Sequence, residues 1–183
     1  MSKKGTDSRI LAIIDEIIAN EGGFVNHKND RGGATNYGIT IGTLSNYLGN
    51  PATVDDVKNM PRSLAVEIYE TRFYYKPRIH TLVDDIELHL FDIGVNCAPR
   101  RAIKMAQAVA NKSGLASLKV DGVIGVNTAT ALEKTYKAMG GYFHNALADE
   151  RKMYYDIIVA RRPKNQVFYN GWINRTNKYR VKV

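Results

Sequence analysis

Glu21, Asp30 and Thr35 stand close together near the start of the chain, two carboxyl groups and a hydroxyl in an order that suits hydrolysis. Ile10, Ile13, Ile14, Ile17 and Ile18 recur at the spacing of one helix face. Glu21 follows Ile17 by four residues and Ile18 by three, which carries it onto the same apolar stripe before Gly22-Gly23 breaks the helix. Burial disfavours the charged form of a carboxyl group and raises its pKa. A glutamic acid still protonated near neutral pH is what a general acid has to be. Asp30 opens a glycine-rich turn, where solvent keeps a carboxylate ionised. Two carboxyl groups in contrasting surroundings sort acid from base. Cleavage of a glycosidic bond uses both: a proton for the leaving oxygen, and a carboxylate across the ring to activate water or support positive charge. Thr35 adds a hydroxyl able to orient that water. The plainer alternatives are a helix-terminal Glu21 turned to solvent, an Asx-turn at Asp30 and a turn position at Thr35.

The elements that must position these residues read as mostly helical. Asp7 or Ser8 caps a first helix that runs to Glu21. From Phe24 to about Thr43 the glycines at 32, 33, 38 and 42 predict an irregular segment with a short β-hairpin turning at Arg31-Gly32-Gly33. Helical patterning returns over Ile41–Leu48. Thr53 with Asp56 three residues on predicts a capped short helix. Pro61 opens the next, which carries Leu64, Ile68 and Tyr75 inward until Pro77 stops it. Asp85 is expected to cap a segment through Leu88, Phe91 and Val95, and Pro99 opens a helix to Lys112 that Gly114 ends. Lys119–Gly125 reads as a tight turn between extended pieces. A helix from Asn127 or Thr128 to Gly140-Gly141 and a long one from Tyr142 to Ala160 follow. The tail, Phe168–Lys178, is rich in aromatic and amide side chains.

At 183 residues, 44% hydrophobic and 24% charged, the chain is long enough for a proper core and ordinary for a globular protein. Its single cysteine, Cys97, excludes an intramolecular disulfide and a cysteine metal cluster. His27, His80, His89 and His144 lack ligand spacing, so no metal site and no cofactor are expected. Asp15 and Glu16 interrupt the isoleucine run and disqualify it as a signal peptide or membrane span. The net charge of +8 suits nucleic acid or an anionic cell wall alike, because the lysines and arginines are scattered.

Glu21-Gly22-Gly23-Phe24, followed by Asp30-Arg31-Gly32-Gly33-Ala34-Thr35-Asn36-Tyr37-Gly38-Ile39, resembles the signature of glycoside hydrolase family 108, phage endolysins and related bacterial N-acetylmuramidases. Phe24 stands where tyrosine is frequent. The order Glu, Asp, Thr also resembles phage lysozymes of the T-even type. Phe91-Asp92-Ile93-Gly94-Val95-Asn96, Arg101-Ala102, Gln107, Val120–Gly125 and Gly171-Trp172-Ile173-Asn174-Arg175 resemble the family's C-terminal peptidoglycan-binding region, and the likeness covers roughly residues 8–178. Cys97 departs from the small residue common at its position.

The resemblance implies a mainly α, lysozyme-like fold with a small β-hairpin region after the first helix. Its catalytic region would be residues 1–88 and its helical peptidoglycan-binding region residues 89–183, packed into the same globule. It implies hydrolysis of the β-1,4 bond between N-acetylmuramic acid and N-acetylglucosamine, with Glu21 as acid and Asp30 and Thr35 assisting. Tyr37, whose ring can stack on a sugar, and Asn96 are the expected glycan contacts; packing roles are the alternatives for both. The expected partner is the peptidoglycan strand, with no nucleic acid and no stable membrane insertion. A monomeric endolysin would wait in the host cytoplasm until a holin opens the membrane and would then act on the wall. The rivals are a non-catalytic wall-binding or secretion-associated protein and, more distantly, a nucleic-acid binder.

Overall fold

The computed structural model describes residues 8–26 and 33–183, without the side chains of Asn20, Glu21 and Asp84. It divides into two compact units, Met1–Lys76 and Pro77–Val183. Among the described residues it is mainly α-helical, with one small two-stranded antiparallel sheet.

In the first unit, α1 (Ser8–Glu21) buries Ile10, Ile14, Ile17 and Ile18, while Ile13 is half-buried at the edge of the stripe. The sheet pairs β1 (Thr35–Asn36) with β2 (Ile39–Thr40), in the register Thr35↔Thr40 and Asn36↔Ile39. Its turn is Tyr37-Gly38; the turn expected at Arg31-Gly32-Gly33 falls on Arg31 and Gly32, outside the described residues. Both turn residues have positive φ, 53° and 75°, the geometry whose twist matches that of a two-residue hairpin. Thr40 caps α2 (Ile41–Leu48) by accepting from the Thr43 amide at 3.2 Å. Thr53 and Asp56 form the expected reciprocal capping box on α3 (Val54–Lys58).

Pro61 precedes α4 (Arg62–Tyr69), which continues as a π-helical stretch over Glu70–Tyr75. There the Lys76 amide reaches back five residues to the Thr71 carbonyl at 2.8 Å. The widened turn shifts the inward register. Ala65, Ile68, Tyr69 and Tyr74 are buried, whereas Leu64 and Tyr75, expected inside, are half-buried.

The second unit opens with a 3₁₀ turn, Ile79–Thr81, and is built around α5 (Asp84–Cys97), α6 (Pro99–Lys112), α7 (Val126–Met139), α8 (Gly141–Arg161) and α9 (Gln166–Asn177). In α5, Ile86, Leu90, Phe91 and Ile93 are wholly buried. Asp85 does not cap this helix, which begins one residue earlier with Val83 as its N-cap. Its carboxylate accepts instead from the Tyr136 hydroxyl at 2.7 Å. One residue, Ala98, joins α5 to α6, and Pro99 supplies the ready-made φ of a helix start. Ala102, Ile103, Ala106, Val109 and Ala110 then line the buried face of α6.

Lys119–Gly125 contains no strand; it is an irregular turn held by one buried side chain. Gln107 Nε2 donates to Asp121 Oδ1 at 3.1 Å, and the Gly122 amide donates to Gln107 Oε1 at 2.8 Å. The aromatic tail is helical, a feature its weak helix formers did not announce. It is held by stacking: Trp172 lies on Tyr155 with ring centres 4.9 Å apart, and Phe168 lies 5.9 Å from Trp172.

Candidate active site

In the first unit the site grows from the join between α1 and the hairpin. Glu21 is the last residue of α1, continuing the register of Ile17 and Ile18 at the helix C-terminus. Four residues later the chain meets the hairpin. The Val25 amide donates to the Thr35 carbonyl at 2.8 Å, and the Thr35 amide returns the bond to Val25 at 2.9 Å. Four extended residues span at most about 14 Å, so this bridge ties Thr35 to the end of α1. Thr35 is half-buried. Asp30 lies outside the described residues, as does the Glu21 side chain.

The hairpin has two anchors that spacing alone did not single out. Asn36 is buried, and its Nδ2 donates to the Val57 carbonyl at 3.0 Å and the Lys58 carbonyl at 3.3 Å, covering the end of α3. The Tyr69 hydroxyl donates to the Tyr37 carbonyl at 3.1 Å. An amide immediately before Tyr37-Gly38 is the signal that could have found the first. Tyr37 itself is half-buried at positive φ, a conformation that costs a bulky residue and favours glycine.

Asn96 belongs to the second unit, in the last turn of α5. It is exposed, and its Oδ1 accepts from the Tyr155 hydroxyl at 2.5 Å and from the Cys97 thiol at 3.5 Å. Beneath it runs a buried charge network absent from the sequence reading. Asp92 Oδ2 accepts from Arg151 Nη1 at 2.7 Å, and its Oδ1 accepts from Arg175 Nε at 2.8 Å and Nη2 at 2.7 Å. Arg151 is fully buried, and its Nε donates to the Tyr155 hydroxyl at 2.8 Å. Burial works against the Arg151 charge, but Asp92 and Tyr155 outweigh it and leave the pKa above its ordinary value. Burial likewise pushes the Tyr155 phenol and the Cys97 thiol upward, so both keep their protons.

The link beyond Asn96 is strained. Ala98 has φ 71° and ψ 142°, close to a region reserved for glycine. Among the described residues no group of histidine, cysteine, aspartate and glutamate could hold a metal ion.

Residues 14–97 match the family described as Glycosyl hydrolase 108, and residues 101–177 match that described as Predicted Peptidoglycan domain. Among solved structures the chain is similar to SagA of Brucella abortus, with 28% identity and a TM-score of 0.73 over 94% of this chain and 91% of that one. No curated protein matches the chain. The helical fold and the hairpin after α1 agree with this likeness. Residues 14–97 thus carry a glycosyl hydrolase 108 domain and residues 101–177 a peptidoglycan-binding one: the protein is a glycoside hydrolase of lysozyme-like fold that degrades peptidoglycan.

Proposed function

We propose that this hydrolase cuts the β-1,4 bond between N-acetylmuramic acid and N-acetylglucosamine, with Glu21 as the general acid. The observation that carries the reading is the position of Glu21. It closes a helix whose other residues in that register, Ile14, Ile17 and Ile18, are buried, within the segment that matches the hydrolase family. Glu21 protonates the bridging oxygen as the bond breaks. Asp30 and Thr35 position the water or support the positive charge that develops on the sugar. Tyr37 offers its ring to the glycan, and the unfavourable φ it tolerates speaks for a side chain retained for use. Asn96 is the other residue to which we assign a glycan contact. The acid–base chemistry needs no cofactor.

The division of labour we propose assigns residues 1–88 to catalysis and residues 89–183 to holding the wall. In its biological setting the protein is a monomeric phage endolysin, kept in the host cytoplasm until a holin admits it to the wall. No helix among the described residues is long and apolar enough to cross a membrane.

Glu21→Gln keeps the shape of the side chain and removes its proton. The variant is expected to fold with an unchanged circular dichroism spectrum and to lose at least about a hundredfold in wall hydrolysis, the lower range of a general acid's contribution. Mass spectrometry of the muropeptides released by the wild type identifies the bond. Clearing retained by Glu21→Gln, or products cut elsewhere than at the muramic acid reducing end, would rule the assignment out.

A further inference from the structure

An exposed asparagine ordinarily offers a carbonyl and an amino group with equal ease, because its amide turns over freely in water. Asn96 does not have that freedom. Its Oδ1 is occupied by the Tyr155 hydroxyl, 2.5 Å away, and the Cys97 sulfur lies 3.5 Å from the same oxygen and 3.3 Å from the hydroxyl. The Tyr155 hydroxyl can donate one hydrogen and accept from others. It accepts from Arg151 Nε at 2.8 Å, and of the two acceptors within reach of its own hydrogen, Asn96 Oδ1 at 2.5 Å and the weakly accepting Cys97 sulfur at 3.3 Å, the amide oxygen takes it. Turning the amide over would leave the buried phenol hydrogen only the Cys97 sulfur, a weak acceptor 3.3 Å away, in place of the amide oxygen.

The tyrosine is itself immobilised. Its residue is 1% exposed, Trp172 stacks on one side at 4.9 Å and 24°, and the Arg151 guanidinium lies 5.7 Å from the ring centre. Arg151 is in turn fixed by Asp92, which Arg175 also grips. A chain of buried contacts thus ends at a single surface amide. Asn96 Nδ2, with two hydrogens and no protein partner among the described residues, is the free end of that chain, on an exposed residue.

We propose that Asn96 is a donor-only recognition point for the acetamido carbonyl of an N-acetylated amino sugar, and that Tyr155 is the positioning residue that fixes its polarity. The ligand class follows from the polarity. An acetamido group presents a carbonyl acceptor, which one of the two fixed N–H donors satisfies. A de-N-acetylated sugar presents an ammonium group, which can only donate and would face Asn96 unpaired. The site therefore separates acetylated from deacetylated glycan by a mismatch of donors, the arrangement that discriminates most strongly. The residues come from both matched segments: Asp92, Asn96 and Cys97 from the hydrolase match, Arg151, Tyr155, Trp172 and Arg175 from the peptidoglycan match.

This proposal rests on the reading of Asn96 as a glycan contact, and binding tests it separately from catalysis. The probes are a soluble N-acetylated chitooligosaccharide and its fully de-N-acetylated counterpart, titrated calorimetrically into the full chain. The wild type should prefer the acetylated probe. Asn96→Ala and Asn96→Asp should each bind it about three- to tenfold more weakly, the value of one hydrogen bond, and lose most of the preference. Tyr155→Phe should fall between, with an unchanged circular dichroism spectrum. If Tyr155→Phe does not fold, relaxation of the Asn96 side-chain amide in the intact wild type decides the positioning role. A restrained amide, unlike that of exposed Asn127, supports it, and one as mobile as Asn127 overturns it. Absence of acetyl preference in the wild type, or its survival in both Asn96 variants, overturns the recognition site. Wild-type affinity in Tyr155→Phe overturns the positioning role. A wild type that binds with acetyl preference yet releases no reducing ends from wall would instead strike the assigned glycosidase mechanism.

Discussion

Asp92 balances two guanidinium groups with one carboxylate, and the fully buried Arg151 depends on it. Such a triad adds little net stability but costs about 3–5 kcal/mol when one partner is removed. Its value lies in fixing direction, and the direction it fixes ends at Asn96. The buried histidine pair in the same unit does the opposite: it makes stability depend on pH. His89 and His144 meet through their Nδ1 atoms at 3.3 Å, and His89 stacks on Tyr179 at 4.4 Å, nearly parallel. Burial, then His144 and then Arg151, hold His89 well below the ordinary histidine pKa. Burial also lowers His144, against a smaller opposing pull from Asp85. A group depressed in the folded state takes up its proton more readily when unfolded. Its contribution is therefore complete above the unfolded value, about 6.5, and is lost as pH falls toward the folded one. Each histidine contributes a slope of up to about 1.4 kcal/mol per pH unit in that window. The Tm is expected to fall between pH 7.5 and pH 5, and His89→Phe, which keeps the face against Tyr179, to flatten part of that fall. Thermal melts across the pH series check it, and equal slopes in the two proteins would refute the account.

Gln107 shows an element held from outside itself: one side chain on α6 defines the turn that leads into α7. Gly122 sits in that turn with φ 78°, and a Cβ there would meet the Arg100 carbonyl oxygen and Cγ at 2.5 Å. Backbone cannot yield as a flexible side chain would, so Gly122→Ala should cost about 1–3 kcal/mol from strain and overpacking together. The expected reading is a lower midpoint in urea with an unchanged slope. The same comparison marks what a sequence can disclose about elements. α1 and α6 carry their stop signals and stripes in adjacent residues, and both run over the expected residues. The Thr53–Asp56 box is equally local. The shift from Tyr75 to Tyr74 was not legible, because a π-helical turn leaves no mark in spacing. Nor was α9, whose aromatic and amide residues are indifferent helix formers until Tyr155 and Trp172 stack. The hairpin site was half legible: Thr35 and Tyr37 were singled out, but the turn at Tyr37-Gly38 requires a tyrosine at positive φ, which pattern argues against. Arg151 escaped entirely, and Asp92 and Arg175 stood only as members of family-like motifs with no pairing read between them, since partners 59 and 83 positions apart signal nothing to each other along the chain.

At the scale of the whole molecule, the family matches and the compact units place their boundaries differently. The hydrolase match runs to residue 97 and the peptidoglycan match starts at 101, whereas the units part between Lys76 and Pro77. The difference is α5, which matches the hydrolase family yet supplies core to the second unit. A fragment of residues 101–183 would lose Ile86, Leu90, Phe91 and Ile93, each worth about 1.5–3 kcal/mol of burial. It would also leave Arg151 and Arg175 without Asp92, at a further cost of about 3–5 kcal/mol. A domain has only about 5–15 kcal/mol to lose, so this fragment should not fold. A fragment of residues 77–183 keeps the helix and the counter-ion and should fold. Circular dichroism melts and amide NMR dispersion of the two fragments test the difference. A cooperative, well-dispersed 101–183 would show that the peptidoglycan segment stands without α5 and would remove the physical reason for its dependence on the hydrolase segment. If only 77–183 folds, wall binding by the second segment requires a helix contributed by the first, and the two family segments cannot be separated at the boundary their sequences suggest.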